Sequence, residues 1–164
     1  MTTSSPTHKP RTKISADPRV PAVTIEREFD APPAAVFAAH ADPALFVQWI
    51  GPRSLDSEID YWRCERGGSW RYVARRDGEE FWFHGCFHDV RPNELIVQTF
   101  TYEGYPDGVA LEKLELTELP GGRTLLRATS LTDSFEGRDA FLASGMESGV
   151  NEGYEKLDEL LRRS

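Results

Sequence analysis

Glu112 and His40 are the residues whose type and position best suit proton chemistry. Glu112 shares strand parity with Leu114 and Leu116, so a strand that turns its leucines inward carries the carboxyl into an apolar setting. There, burial would raise its pKa and fit it to give or take a proton. Exposure at a strand end, with no chemical role, is the alternative. His40 falls on the same side of a short helix as Val36 and Phe37, which suits a hydrogen-bonded histidine at the rim of a core or a polar contact to a ligand. No Ser-His-Asp spacing, phosphate loop or paired Cys-His nucleophile accompanies them.

His84, Cys86 and His88 alternate along one segment and so share a strand face. The outer pair lies roughly 13 Å apart in a strand, too far to share one zinc ion, and no metal or other cofactor is expected. Phe81, Phe83, Gly85 and Phe87 take the opposite face, which reads as the buried one. Cys64 and Cys86 are the only cysteines, and two buried or half-buried free thiols are expected rather than a disulfide framework.

The elements that must position these residues follow from periodicity and turn signals. Val23 to Phe29 alternates as a first strand. Pro32-Pro33 and Asp42-Pro43 each open a short helix, the second with Asp42 as N-cap and an end near Gly51-Pro52. Six further strands are expected near 57–63, 69–75, 80–90, 94–102, 110–119 and 123–131, parted by Gly67-Gly68, Asp77-Gly78, Pro92-Asn93, Pro106-Asp107-Gly108 and Gly121-Gly122. Asp133 to Glu136 offers a capping box for a final helix from about Arg138 to Arg163. Leu142, Met146, Val150, Leu157, Leu160 and Leu161 fill one face of it.

Gly145, Gly149 and Gly153 project onto that apolar face, each costing roughly 0.8 to 1 kcal/mol relative to Ala inside a helix. Side-chain volume must be unwanted there, for close packing on the sheet or for an open cavity.

The 164 residues suit one domain. Residues 1–22 carry four basic groups against Asp17 alone, a net +3, and read as a flexible tail; residues 23–164 hold 15 basic and 26 acidic groups, a net −11. An acidic body speaks against nucleic acid. No apolar run is long enough for membrane insertion, and no secretory leader is evident, so a cytoplasmic protein is expected.

Ala31-Pro-Pro with Val36-Phe37-Ala38-Ala39, Asp42-Pro43 before Trp49-Ile50-Gly51-Pro52, and Gly67-Gly68-Ser69-Trp70-Arg71-Tyr72 together make a recognisable series. Phe83-His84-Gly85, Gly121-Gly122-Arg123-Thr124 and Ser144-Gly145-Met146-Glu147-Ser148-Gly149 continue it. In this order they resemble the START/SRPBCC superfamily, the birch-pollen-allergen-like helix-grip fold. Within it, they resemble the family named for the activator of the heat-shock protein 90 ATPase. Ile50 stands where such proteins often carry a second Trp, and Glu65-Arg66 precedes Gly67-Gly68 in place of Arg-Pro.

The resemblance implies an α+β fold in which a curved antiparallel sheet of about seven strands wraps a long C-terminal helix, with two short helices after the first strand. It also implies a cavity for a small hydrophobic or aromatic molecule and no universal catalytic set. Trp49, Trp70, Tyr72, Phe83, Phe100, Met146 and Gly149 are the expected ligand-binding wall; Glu112 and His40 are the catalytic candidates should the chain be a polyketide cyclase or aromatase. A co-chaperone-type interaction module is a further alternative, and a homodimer is left open.

Overall fold

The computed structural model describes residues 12–163. Strand β1 spans Lys13–Ala16, β2 Ala22–Phe29, β3 Asp56–Trp62, β4 Ser69–Arg76, β5 Glu79–Arg91, β6 Leu95–Tyr102, β7 Ala110–Leu119 and β8 Arg123–Leu131. They form one antiparallel sheet in the order β1-β2-β8-β7-β6-β5-β4-β3. Helices α1 (Pro33–Ala41) and α2 (Pro43–Phe46) follow β2, and α3 (Phe135–Ala143) and α4 (Met146–Arg163) follow β8. This is the expected helix-grip arrangement.

Local chemistry accounts for most boundaries. Asp77 and Gly78 both hold positive φ, 50° and 82°, and Arg76 pairs Glu79 directly across them, which is the geometry of a two-residue hairpin turn. Asp42 caps α2 by accepting from the Ala44 amide at 2.9 Å, with Pro43 at the first helical position. Register shifts between Ile59 and Tyr61 and between Phe87 and Asp89 bend β3 and β5, because an extra residue on one strand tightens its local twist.

Four expectations need correction. The segment read as a flexible tail contains β1, which pairs with β2 from Lys13 opposite Glu26 to Ala16 opposite Val23; the rest of that tail, up to residue 11, lies outside the described residues. β1 makes the sheet eight-stranded and takes up the backbone groups β2 would otherwise leave at its edge. The α2 helix ends at Phe46, and single turns carry the chain on to Trp49.

The long final helix is two helices. Gly145 adopts φ +85° between them, a left-handed conformation that stops a helix. Ser134, not Asp133, caps α3, its hydroxyl accepting from the Gly137 amide at 2.9 Å.

The three glycines therefore do three different jobs. Gly145 breaks the helix. At Gly153, a Cβ would lie 3.2 Å from the Trp49 carbonyl oxygen and 3.5 Å from Gly51 N and O, so α4 lies there against the backbone of the loop after α2. At Gly149, a Cβ would meet only Pro52 Cδ, at 3.6 Å. Gly149→Ala should accordingly raise stability by up to ~1 kcal/mol through helix propensity, whereas Gly145→Ala should lower it by about 1 kcal/mol through left-handed strain. Urea unfolding midpoints test this; a Gly145→Ala protein as stable as Gly149→Ala would contradict the assignment.

Candidate functional site

Two aromatic-rich clusters face each other under α4. One gathers Phe29, Val36, Trp49, Leu126, Tyr154 and Leu157; the other centres on Trp70, Tyr72, Phe87 and Ile96. Between them lies a cavity of about 580 Å³, within the size range of small-molecule sites. Trp49, Trp70, Tyr72, Phe83, Phe100, Met146, Gly149, His40 and Glu112 all border it. Sequence reasoning thus brought together residues from nine separate positions that the fold places around one space.

One wall is a continuous run of rings. Trp70 stacks on Tyr72 with centroids 5.6 Å apart, Tyr72 on Phe83 at 5.1 Å, and Phe83 leans on Phe100 at 5.4 Å. Across from it, Trp49 stacks on Tyr154 at 6.0 Å. The indoles are anchored by α1: Trp49 Nε1 donates to the Ala39 carbonyl at 2.9 Å and Trp62 Nε1 to Ala41 at 2.8 Å. A helix C-terminus has carbonyls to spare, and here the rings take them.

The first half of α4 supplies the roof. Met146, Gly149, Val150, Gly153 and Tyr154 border the cavity, while Leu157 is fully buried and Leu160 and Leu161 pack on the core beyond. Arg27 of β2, 5% exposed, fixes the far half through Asp158, with Nη1 and Nη2 donating to its two carboxylate oxygens at 2.9 and 2.7 Å. The guanidinium also covers the Phe29 ring at 4.7 Å.

Glu112 sits on the cavity floor in a lateral row. Gln98 of β6 and Ser130 of β8 are its direct cross-strand partners. Gln98 Nε2 donates to Glu112 Oε1 at 3.1 Å, and the Ser130 side chain also favours its charged form. Glu112 and His40 are half-buried and both border the cavity. Desolvation dominates, pushing the Glu112 carboxyl up to about 7 against the opposing pull of Gln98 and Ser130.

Desolvation acts oppositely on His40, bringing its pKa down to about 4. Its Nδ1 lies 2.7 Å from the Val36 carbonyl oxygen, which can only accept, so Nδ1 carries the proton and Nε2 keeps its lone pair.

Several polar or aromatic residues of the site were not singled out from sequence. Gln98 shares strand parity with Ile96 and Phe100, and Ser130 with Leu126 and Ala128; parity alone does not show that both meet Glu112. Tyr102, Tyr105, Phe141 and Tyr154 also border the space. On the outer face, His84 Nδ1 meets Glu103 at 3.1 Å, and Glu103 is held to about 2, chiefly by Arg71. Cys64 is half-buried, within the expectation of buried or half-buried thiols, but Cys86 is exposed because its strand face is the outward one. No group of three or more His, Cys, Asp or Glu residues among those described is arranged to hold a metal ion, and no described helix is long and apolar enough to cross a membrane.

An antiparallel sheet gripping a C-terminal helix over an aromatic-lined cavity defines an SRPBCC-type domain. Within that class, the chain belongs to the family described as Activator of Hsp90 ATPase homolog 1-like protein, which matches residues 30–162. Among solved structures it is similar to a crystal structure of a Rhodobacter sphaeroides protein, with 26% identity, a TM-score of 0.86, and coverage of 94% of this chain and 100% of that one. It also resembles the solution structure of an Arthrobacter aurescens protein (24% identity, TM-score 0.84, coverage 93% and 92%). A crystal structure of a Mycobacterium smegmatis protein is similar too (23% identity, TM-score 0.83, coverage 92% and 97%). These last two likenesses speak to the fold alone. No curated protein matches the sequence.

Because the folded-state pKa of Glu112 lies above its ordinary value of 4.5, the stability linked to it is fully present below that value. It is lost as pH rises through about 7. Glu112→Gln removes the titration. Its Tm relative to wild type should climb between pH 4.5 and pH 8; a difference that stays constant across that range would show that Glu112 titrates like an exposed carboxyl.

Proposed function

We propose that this protein binds a small hydrophobic or aromatic molecule in the cavity between the sheet and α4. The observation that carries this reading is the ring wall from Trp70 through Tyr72 and Phe83 to Phe100, which faces about 580 Å³ of space. Packing that served stability alone would fill such a volume, since protein interiors approach crystal density and voids cost contacts. The same space fits a molecule with flat apolar faces.

Gly149 gives the test. The neutral dye N-phenyl-1-naphthylamine should bind the wild-type protein with enhanced fluorescence. Gly149→Leu, which adds volume at the roof with only Pro52 near its Cβ, should weaken binding at least tenfold while the helical circular dichroism persists. Unchanged affinity in a folded variant would count against the cavity as the binding site.

Glu112 favours a second reading, a cyclase- or aromatase-like enzyme. A carboxyl near 7 at an apolar cavity is matched to proton transfer at neutral pH. Between the two candidates, Glu112 is the better group: a neutral histidine with a pKa of about 4 is a weak base. In this reading, Glu112→Gln abolishes turnover while dye binding survives.

A further inference from the structure

Helix α3 is attached to the rest of the protein by a charged group. Arg138 is its only buried residue, while Phe135 and Phe141 are exposed and no α3 side chain belongs to either core cluster. An apolar stripe would ordinarily do this work. Arg138 reaches the connection between β1 and β2, where its Nη1 donates to the Asp17 carbonyl at 2.8 Å and to the Ala22 carbonyl at 3.2 Å. Its Nε donates to Asp139 Oδ1 at 2.8 Å, and its guanidinium lies over the Phe135 ring at 5.2 Å. The turn is shaped for this contact. Asp17 Oδ1 accepts from the Arg19 and Val20 amides at 2.7 and 3.3 Å, and the Asp17 amide donates to the Ala22 carbonyl at 3.0 Å. The two carbonyls are thereby held close enough to share one nitrogen.

The same helix stands at the mouth of the cavity. Apart from Lys113 on β7, the exposed residues that border the space lie on two segments. Tyr102, Tyr105 and Val109 stand where β6 passes to β7; Asp133, Gly137 and Phe141 stand on α3 and the chain leading into it. The cavity meets solvent between them. Beyond α3, Gly145 holds its left-handed angle with nothing within 4 Å of where a Cβ would lie, which leaves room for a backbone rotation to swing the helix. At the other end, Thr132 stays with the β1–β2 connection, its amide and hydroxyl donating to the Pro21 carbonyl at 2.9 and 3.0 Å.

Building on the cavity-binding reading, we infer that α3 is a door to the cavity, hinged at Gly145 and latched by Arg138 on the carbonyls of Asp17 and Ala22. The chemistry suits a latch that opens. An apolar side chain lifted from a core loses its burial outright, whereas a guanidinium that leaves two carbonyls regains water, and the net loss per hydrogen bond is small. Lids are drawn from the least stable parts of a fold for the same reason. The N-terminal strand, through the turn that joins it to β2, thus sets how fast the cavity exchanges its contents.

Two measurements test the door, one of them without a ligand. Phenylglyoxal labels arginines that reach water, and peptide mass spectrometry reads each site. Wild-type Arg138 should react far more slowly than the exposed Arg63. Asp17→Ala frees the turn, and the Asp17 side chain neither bonds to α3 nor borders the cavity. It should raise the Arg138 rate roughly tenfold, while Arg27, clamped by Asp158, stays protected. Stopped-flow mixing with N-phenyl-1-naphthylamine supplies the second readout. In Asp17→Ala and in Arg138→Gln, entry and release of the dye should both quicken roughly tenfold. Kd should stay within about twofold of wild type, because a door alters the barrier and not the bound state. Arg138→Lys, which can still donate to a carbonyl, should fall in between.

Faster release with unchanged entry, and a Kd weakened to match, would make α3 a wall of the site and overturn the door. So would a wild-type Arg138 that labels as readily as Arg63, or an Arg138 freed by Asp17→Ala with no change in either dye rate. If the wild-type protein takes up no dye, the cavity-binding reading falls and the door with it, a result distinct from dye exchange at unaltered rates.

Discussion

A helix laid across a concave sheet must be held down along part of its length and held off along the rest. Around Gly153 the chain does both. The missing side chain lets α4 meet the backbone from Trp49 to Gly51, and one turn later Leu157 is fully buried and Asp158 is clamped by Arg27. Toward its other end, Met146, Gly149 and Val150 stand over open space. The close contact works as a fulcrum: without it, the fixed half would ride higher and Trp49, across from the ring wall, would lose its stacking partner Tyr154. The Arg27–Asp158 pair is largely shielded from solvent, where removal of one partner leaves an uncompensated charge.

The polar row across β6, β7 and β8 runs against the economy of that arrangement. A carboxyl on the floor of an apolar space costs desolvation, and the raised pKa records this. Gln98 and Ser130 reduce the penalty without cancelling it. Such unfavourable placements are found where a site must present chemistry to something else. His40 differs in kind: its proton goes to the helix carbonyl behind it, so its ring serves the packing against Trp49 at 4.7 Å.

Much of this was legible in the residues. Two-residue and glycine-bearing turns marked the strands closely, since Asp77-Gly78 has few other uses between alternating segments. The parity that placed Glu112 beside Leu114 and Leu116 was correct in orientation. Arg27 carried a similar signal, standing on the Val23–Ile25 face, but its partner lies 131 residues away and no local pattern names it. The helix break at Gly145 was hidden because the apolar spacing runs on through it; only the backbone angle shows the stop. β1 was hidden for the opposite reason. Four residues in a Pro-rich, basic stretch have little strand character of their own, and the open flank of β2 supplies the pairing. Gln98 and Ser130 become partners of Glu112 through register, which lies beyond any single strand's pattern.

Among the described residues, the open sheet of eight strands has two free flanks, and each ends in a form unsuited to growth by another chain. On one side β1 is four residues long, begins with Lys13 and is followed by Pro18 and Pro21. On the other, β3 turns the acids Asp56, Glu58 and Asp60 outward and is bent by its bulge. Short length, repeated charge and a bend are each poor templates for strand addition. A fold that keeps a large aromatic interior is thereby guarded against edge-to-edge aggregation, and any pairing of two copies would have to use a helix or sheet face instead.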